Sequence, residues 1–278
     1  MAKLHAVETV TRFAPSPNGH LHLGHAYSAI FAHDMARAAG GRFQLRIEDI
    51  DGPRSKPEFA EEFRRDLEWL GLEWEEVAPQ SERIESYRQA ADRLLAQGML
   101  YPCTCTRADI EKLPHRVGED GVEYPGSCRG QPHDEDAPAA LRLDLDAAME
   151  RVGELVWTDE EAGSIVVDAR DFGDVVIVRK DLPASYHLAA TLDDAADGVT
   201  LVTRGADLFE STHIHRILQE LLGLPVPHYH HHRLLTDADG EKLAKSRGSA
   251  AIADRREAGE DGRALAEQLR LQQLQVGT

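Results

Sequence analysis

The sequence predicts an α/β fold, a Rossmann-type doubly wound parallel sheet with a small insertion and a short C-terminal helical tail. A β-α-β start supports this fold class, because an apolar strand at 10–13 precedes a turn, a helix at 22–39 and an alternating strand at 43–49. An apolar strand at 199–203, followed by an amphipathic helix, continues the pattern late in the chain. Residues 102–179 are rich in glycine and proline, which indicates an insertion between the two halves.

The chain has 278 residues, enough for one large α/β domain with an insertion or for two small domains. Its 31 Lys and Arg residues face 49 Asp and Glu residues, so the net charge is −18. This charge repels bulk nucleic acid, and an RNA partner would need a local basic surface. The sequence contains neither an apolar signal region nor a window suited to a membrane span. We therefore predict a cytoplasmic protein with no membrane partner, and we expect a monomer.

We predict four segments along the chain. They are the first half of the Rossmann-type domain at 1–101, the insertion at 102–179, the second half of the domain at 180–236, and a loop with a helical tail at 237–278. In the first half, helices predicted at 57–70 and 82–97 each carry one apolar stripe. We expect these two helices to pack against the sheet.

The stretch RFAPSPNGHLHLGH, residues 12–25, combines a strand end, a Pro/Gly turn and a helix start. A helix N-terminus exposes unpaired N–H groups and the positive end of the helix dipole, and both favour phosphate oxygens. His22 and His25 share one face of the first turn, and Gly24 lets a flat ligand approach the backbone. The pattern indicates an anionic, nucleotide-sized ligand. The competing interpretation is that two histidines at a helix start are surface or capping residues.

A second stretch, EKLAKSR at 241–247, contains two lysines, and lysine pairs in loops are usually solvated charge. Together, HLGH and KLAKS resemble the HIGH-type signature and the KMSKS-type loop of the class I aminoacyl-tRNA synthetases. The resemblance implies that ATP, with Mg²⁺, is a substrate and that His22, His25 and Lys245 are catalytic residues that stabilise charge on its phosphates. The implied ATP site consists of these three residues with Pro15, Ser16, Pro17, Gly24 and Lys242.

The segments RFAPSP and RIEDID end the first two predicted strands, at the edge where parallel sheets bind ligands. By itself, RIED is typical of a charge cluster on an edge strand. Both segments resemble the first two strands of glutamyl-type class I enzymes. The resemblance implies that Arg12 and the neighbouring backbone hold the carboxylate of L-glutamate, while Glu48 pairs with its ammonium. The other residues of this implied site are Phe13, Ala14, Pro15 and Ser16.

Tyr186 and Arg204 extend the candidate amino-acid site. Tyr186 opens a predicted helix, where a tyrosine is most often a packing residue, but the resemblance implies that it lines the amino-acid pocket. Residues 180–182, Lys-Asp-Leu, depart from the Asp-Gly of many relatives. Arg204 directly follows an apolar strand, and a bidentate guanidinium there would select glutamate over glutamine by charge. Ion pairing between Arg204 and Asp207 is the competing interpretation.

Three cysteines lie in the insertion, as Cys103-x-Cys105 and Cys128, and an odd count fits a metal or free thiols better than disulfides. A structural zinc site needs four ligands, and metal preference alone suggests His133 or His115 as the fourth. The segment YPGSC instead matches the Cys-x-Cys…Tyr-x-x-x-Cys pattern of a subfamily, the glutamyl-queuosine tRNA(Asp) synthetases. The resemblance implies one structural Zn²⁺, and three thiols without metal are the alternative. The implied zinc ligands are Cys103, Cys105, Tyr124 and Cys128.

Residues 228–232 form the tract HYHHH, whose composition alone suggests a metal site. The resemblance places this tract on the strand that leads to the lysine loop. We therefore expect no metal there, and we expect some of its imidazoles to pack near adenine.

The sequence continues for about thirty residues after KLAKS, whereas full glutamyl-tRNA synthetases carry a large anticodon-binding region there. The resemblance implies an enzyme that uses ATP to activate L-glutamate without tRNA. It also implies transfer of the glutamate to the cyclopentenediol of queuosine, at the wobble position in the anticodon loop of tRNA(Asp). The alternatives are conventional charging of tRNA(Glu), an amide ligase of the same superfamily, and a non-catalytic RNA-binding or regulatory paralogue.

Overall fold

The computed structural model describes residues 8–113, 117–118, 121–134, 136–170, 172–235 and 250–274. Its strands are β1 (Val10–Phe13), β2 (Arg42–Leu45), β3 (Glu75–Glu76), β4 (Leu100–Cys103), β5 (Val117–Gly118), β6 (Gly121–Val122), β7 (Ala140–Leu143), β8 (Val156–Asp159), β9 (Gly163–Val166), β10 (Val176–Val178), β11 (Leu201–Gly205) and β12 (His228–His232). Its α-helices are α1 (Leu23–Ala38), α2 (Pro57–Trp69), α3 (Ile84–Ala96), α4 (Arg107–Ile110), α5 (Leu145–Val152), α6 (Tyr186–Ala196), α7 (Ser211–Leu222), α8 (Ile252–Glu257) and α9 (Gly262–Leu274). Short 3₁₀ turns lie at Gly52–Arg54, Gln80–Arg83 and Ala206–Leu208.

Two groups of parallel strands meet in the middle of the protein. One has the order β3-β2-β1, and in the other β11, β12 and β8 run parallel with β9 antiparallel at the edge. The N–H of Thr200, just before β11, donates to the carbonyl oxygen of Val10 at 3.0 Å. In return, the N–H of Val10 donates to the Thr200 hydroxyl at 2.8 Å. The strand order therefore reverses between β1 and β11, and the predicted α/β fold with a parallel sheet is confirmed.

The strand ends differ from the sequence prediction in two places. β2 ends at Leu45, so the strand predicted at 43–49 was too long. Beyond it the backbone turns toward the loop after β1, because the N–H of Glu48 donates to the carbonyl oxygen of Pro15 at 3.1 Å. Arg204 lies inside β11 rather than directly after it, and its register partner is His231 on β12. Both Glu48 and Arg204 still reach the carboxyl edge of the sheet.

The β8–β9 hairpin places an apolar segment at the edge of the sheet. The Val/Ile run at 164–168 is typical of a buried strand, but β9 is an edge strand with Val166 57% exposed. β8 is the inner member, and its Trp157 and Asp159 are buried. The pairing of β8 with β12 joins part of the 102–179 segment to the parallel sheet. The predicted four-segment division of the chain stays a prediction.

The C-terminal helices pack on the first half of the chain. Ile252, Leu265 and Leu269 are buried in one apolar cluster with residues of α1 and α2. A Cβ at Gly262 would lie 2.3 Å from the carbonyl oxygen of Trp69, so only glycine allows this close approach. Each fully buried leucine or isoleucine contributes roughly 1.5–3 kcal/mol. None of the described helices has both the length and the apolar composition that a membrane crossing requires.

Candidate active site

A cavity of about 410 Å³ opens at the carboxyl ends of β1 and β11. The predicted residues that line it are Arg12, Phe13, Ala14, Pro15, Ser16, His22, Gly24, His25, Glu48, Tyr186 and Arg204. Pro17 is a predicted site residue that does not line it, and its carbonyl oxygen accepts the N–H of Lys56 at 2.9 Å. The predicted lysines Lys242 and Lys245 lie outside the described residues. The structure thus brings most of the predicted set together, while the roles of these residues stay predictions.

His22 and His25 cap the start of α1. Nδ1 of His22 accepts the N–H of Gly24 at 3.1 Å, and Nδ1 of His25 accepts the N–H of His22 at 3.2 Å. Because a ring nitrogen that accepts a hydrogen bond carries no hydrogen, each neutral imidazole has its hydrogen on Nε2. A Cβ at Gly24 would lie 3.0 Å from Cε1 of His22, so this glycine makes room for the ring. The capping role therefore fixes a donor on each histidine, which suits phosphate oxygens.

Arg12 is buried in an ion pair with a residue that the sequence analysis missed. Its Nε donates to Oδ1 of Asp194 at 2.8 Å, and its Nη2 donates to Oδ2 at 3.2 Å. Its Nη1 donates to the carbonyl oxygen of Thr203 at 3.0 Å. Arg12 therefore presents hydrogen-bond donors to the cavity, but Asp194 already neutralises its charge.

The ion pair of Arg12 belongs to a larger buried network around Arg46. The Arg46 guanidinium lies 2.9 Å from carboxylate oxygens of Asp194 and of Asp197, and 3.3 Å from Glu48. The network contains Arg12, Arg46 and Arg83 with Glu48, Asp193, Asp194 and Asp197. Four carboxylates thus face three guanidinium groups. Burial, partly offset by Arg46, raises the pKa of Glu48 to about 7. Since Glu48 lines the cavity, the excess negative charge lies where a ligand can reach it.

Arg204 is surrounded by neutral hydrogen-bond acceptors. Its Nε donates to Nε2 of His231 at 3.1 Å, its Nη1 to the Tyr186 hydroxyl at 2.9 Å, and its Nη2 to Oγ1 of Thr212 at 2.5 Å. No carboxylate of the described residues makes a salt bridge with this guanidinium. The ion pair with Asp207 that competed with substrate binding in the sequence analysis is therefore not observed.

The imidazoles near Arg204 are also uncharged. Burial and Arg204 lower the pKa of His231 to about 4, and they lower the pKa of His215 well below its ordinary value. A buried cation without a counter-ion is costly, so this site favours an anionic ligand. Nε donates to His231, and Nη1 has two acceptors beside it, the Tyr186 hydroxyl and Nδ1 of His215 at 3.3 Å. The second hydrogen of Nη2, whose first is directed to Thr212, and the hydroxyl of Tyr186 are therefore the donors best placed for a carboxylate. The bidentate contact between Arg204 and a substrate carboxylate, expected from the sequence, stays a prediction.

The three cysteines of the insertion form one cluster. Their sulfur atoms lie within 4.8 Å of one another, and Sγ of Cys105 is 3.5 Å from Sγ of Cys128. The Tyr124 hydroxyl is 3.7 Å from Sγ of Cys105. Tetrahedral zinc with Zn–S bonds of about 2.3 Å would separate its ligands by about 3.8 Å, so the donor set fits a metal ion. His133 is exposed and is not part of this cluster, and His115 lies outside the described residues.

Two further contacts hold the cysteine cluster in place. The hydroxyl oxygen of Tyr124 accepts the N–H of Cys128 at 2.9 Å, and burial raises the pKa of this phenol. Lys180, in the segment that departs from many relatives, donates from Nζ to the carbonyl oxygens of Thr104 at 2.6 Å and Cys105 at 3.1 Å. Lys180 therefore stabilises the loop that carries Cys103 and Cys105.

The histidine tract forms β12, and its members have separate environments. The His230 and His232 rings pack on Phe31 with centroids 4.7 and 5.2 Å away, and His232 also lines the cavity. His231 contacts Arg204 directly. The sequence analysis did not single out His231, because nothing in the tract distinguishes one imidazole from the next. The sequence did contain a signal for Asp194, because two adjacent carboxylates, Asp193 and Asp194, lie in a mostly apolar helix.

A family model described as tRNA synthetases class I (E and Q), catalytic domain, matches residues 8–277. The chain belongs to this family. It is therefore a ligase of the class I aminoacyl-tRNA synthetase type, as the HLGH and KLAKS motifs predicted.

Two similar proteins bear the name that the cysteine pattern suggested. The glutamyl-Q tRNA(Asp) synthetase of Rhodobacter capsulatus is 50% identical over 268 residues, which cover 90% of this chain and 95% of that protein. The protein of the same name from Symbiobacterium thermophilum is 45% identical, with 89% of this chain and 81% of that protein covered. The predicted resemblance to this subfamily is confirmed.

Full-length glutamate ligases match over part of their length. The glutamate–tRNA ligase of Aquifex aeolicus is 40% identical, with 90% of this chain but 54% of that protein covered. A crystal structure of a glutamate tRNA ligase from Elizabethkingia meningosepticum, in complex with its amino acid, superimposes with a TM-score of 0.77 at 26% identity. That superposition covers 94% of this chain and 60% of the other. The chain thus spans little more than half of these two proteins.

Proposed function

We propose that this ligase activates L-glutamate with ATP, without tRNA, and transfers it to the queuosine base of tRNA(Asp). Arg204 carries the proposal, because a buried guanidinium without a described carboxylate partner lines the cavity and would recognise the side-chain carboxylate of glutamate. Glu48 also supports the proposal, because its carboxylate would pair with the ammonium group of glutamate. The near full-length match to two glutamyl-Q tRNA(Asp) synthetases supports the same substrate and acceptor.

In the first step, an oxygen of the glutamate α-carboxylate attacks the α-phosphorus of ATP, and the bond to pyrophosphate breaks. The Nε2–H groups of His22 and His25 stabilise the charge that develops on the phosphates. Lys245, which lies outside the described residues, adds a cation to these two donors in the proposal. Mg²⁺ accompanies the nucleotide and offsets part of its charge. Arg12 and the backbone of residues 13–16 position the α-carboxylate.

In the second step, a hydroxyl of the queuosine cyclopentenediol attacks the carbonyl carbon of glutamyl-adenylate. An ester forms and AMP leaves with the electron pair of the broken acyl–phosphate bond. No side chain of the protein becomes covalently attached. The modified base of the anticodon loop, rather than the CCA end, must therefore enter the cavity.

We further propose that Cys103, Cys105, Tyr124 and Cys128 hold one structural zinc ion. When bound, the ion cross-links residues 103–105 with residues 124–128. These segments form only a small apolar cluster of their own, so a metal would stabilise a lobe that has little core. None of these four residues lines the cavity, so the ion takes no part in the chemistry of this proposal.

Radiolabelled glutamate tests the function directly. The protein is mixed with ATP, labelled glutamate and tRNA from cells that make queuosine or from cells that lack it. We expect label only on the first tRNA, and we expect it to survive removal of the 3′-terminal nucleotides. Glutamate-dependent exchange of pyrophosphate into ATP should proceed without any tRNA.

Each alternative has its own outcome in this experiment. Label on both tRNA pools that is lost with the 3′ end would indicate conventional charging of tRNA(Glu). Exchange without transfer to RNA would indicate an amide ligase. Absence of exchange would indicate a non-catalytic paralogue, and any of these three results would contradict the proposal.

A further inference from the structure

We infer that Asp159 is a specificity-determining residue, which positions Arg204 for the substrate carboxylate by fixing the tautomer of His231. This inference rests on the proposed function, because it takes Arg204 to be the group that receives the side chain of glutamate. Asp159 does not line the cavity, so it acts through its neighbour.

The three residues form a buried chain of hydrogen bonds. Oδ2 of Asp159 lies 2.8 Å from Nδ1 of His231, and it also accepts the backbone N–H of His231 at 3.2 Å. On the other side of the ring, Nε2 of His231 accepts from Nε of Arg204 at 3.1 Å. Asp159 is 2% exposed and His231 is 7% exposed, so water does not compete at this site.

Only one form of the imidazole fits these contacts. A carboxylate oxygen accepts hydrogen bonds, so the hydrogen of the neutral ring lies on Nδ1. Nε2 then has a lone pair for the guanidinium. The other tautomer would point an N–H at the N–H of Arg204, and the doubly protonated ring would add a second buried cation. Asp159 thus keeps His231 as an acceptor, and Arg204 keeps its orientation.

Thr212 completes the arrangement around the guanidinium. Its hydroxyl accepts from Nη2 of Arg204 at 2.5 Å and lies 3.2 Å from Nε2 of His231, to which it can donate. With the hydrogen on Nδ1, the lone pair of Nε2 faces both Nε of Arg204 and the Thr212 hydroxyl. In the other tautomer Nε2 would donate to Thr212 and could no longer accept from Arg204.

The second carboxylate oxygen of Asp159 determines how the side-chain amide would be oriented in the variant Asp159→Asn. Oδ1 accepts the backbone N–H groups of Glu161 and Ala162, both at 2.9 Å, in the turn of the β8–β9 hairpin. The amide oxygen of an asparagine would keep these two bonds, so its NH₂ group would face His231. That group donates to Nδ1 and forces the hydrogen onto Nε2, as is expected when an aspartate beside a histidine becomes asparagine.

The test uses the Asp159→Asn variant in glutamate-dependent pyrophosphate exchange. We expect the KM for glutamate to rise at least about tenfold, because a hydrogen bond to a charged group is lost, while the KM for ATP stays within about twofold. The preference for glutamate over glutamine should fall by a similar factor. Nitrogen-15 NMR of the His231 ring should show the hydrogen on Nδ1 in the wild type and on Nε2 in the variant.

Two further variants separate positioning from a loss of stability. Asp174→Asn removes another carboxylate of 2% exposure, whose side-chain partners are Tyr101 and Arg129 and which does not line the cavity, and it should leave the KM for glutamate unchanged. In a His231→Gln background the side-chain carbonyl oxygen at position 231 can accept a hydrogen bond from Arg204 without any contribution from residue 159. Adding Asp159→Asn there should change the glutamate KM by less than it does in the wild type.

The outcomes distinguish the inference from the proposed function. Wild-type exchange with an unchanged glutamate KM in Asp159→Asn would overturn the inference and leave the function standing. The same holds if the KM values for glutamate and ATP rise equally, or if the ring keeps its hydrogen on Nδ1. A wild-type protein without glutamate-dependent exchange would contradict the proposed function, and the inference would fail with it.

Discussion

Arg12 and Arg204 line one cavity and are equally buried, each 6% exposed, yet their surroundings differ in charge. Asp194 holds Arg12 in a two-point ion pair. Among the described residues, Arg204 hydrogen-bonds only to the neutral groups of Tyr186, Thr212, His215 and His231. Burial of an arginine therefore does not identify its role. The charge of the partners separates a guanidinium that is already neutralised, as at Arg12, from one without a described counter-ion, as at Arg204.

Helix α6 contacts both arginines and so sets the two ends of the cavity. Tyr186 at its first residue contacts Arg204, and Asp194 contacts Arg12. Eight residues of helix separate these contacts by about 12 Å. Excess positive charge lies at the Arg204 end, whereas the Arg12 network has an excess carboxylate at Glu48. A zwitterionic amino acid with an acidic side chain matches this arrangement.

The largest effect should come from Arg204→Gln. Losing the charge that meets a buried carboxylate should lower kcat/KM for glutamate by about 10²–10³-fold, or roughly 3–4 kcal/mol. Pyrophosphate exchange at varied glutamate measures this change. The KM for ATP, measured in the same assay, serves as the control. A loss below about threefold would mean that Arg204 does not receive the substrate.

Arg12→Gln should lower stability in addition to weakening the contact with the glutamate α-carboxylate. The variant leaves Asp194 buried with Arg46 as its remaining partner, so the free energy of unfolding should fall by about 3 kcal/mol. Urea unfolding monitored by circular dichroism measures this fall. Arg204→Gln is the matched control, because it breaks no ion pair of the described residues and should lose clearly less. Equal losses in the two variants would remove the distinction between the arginines.

Glutamate binding should depend on pH through Glu48. The carboxylate form pairs with the substrate ammonium, and the pKa of Glu48 is raised to about 7 by burial. The KM for glutamate should therefore fall about tenfold as pH rises from about 6 to about 8, while the carboxyl group loses its proton. Initial rates across this range give the profile. Glu48→Gln should bind more weakly and show a flat profile, and a slope that persists in this variant would exclude Glu48 as its source.

Tyr186→Phe should give the smallest effect of the series. The variant removes a hydroxyl that accepts from Arg204 and can donate to a carboxylate, at a cost of about 1 kcal/mol. The KM for glutamate should rise about fivefold without a change in the unfolding free energy. An unchanged KM would mean that Arg204 alone accounts for recognition at this end of the cavity.

Local features of the chain were predictable from the sequence. β1, the turn after it and the start of α1 follow from short-range patterns. Most residues of the cavity, and Tyr124 beside the three cysteines, were expected because of the resemblance to the class I enzymes. Partners across long separations were not predictable, because a single sequence does not say which carboxylate reaches which guanidinium. Asp194 is 182 residues from Arg12, and His231 reaches Arg204 only through the pairing of β11 with β12. The edge position of β9 was missed for the same reason.

A crystal structure of the protein with L-glutamate, obtained at about pH 8, would show which arginine receives the side-chain carboxylate. We expect the side-chain carboxylate within hydrogen-bond distance of Arg204 and the Tyr186 hydroxyl, and the ammonium beside Glu48. Arg12 should keep its ion pair with Asp194. A glutamate whose side-chain carboxylate lies away from Arg204, with Arg12 released from Asp194 to bind it, would contradict the account.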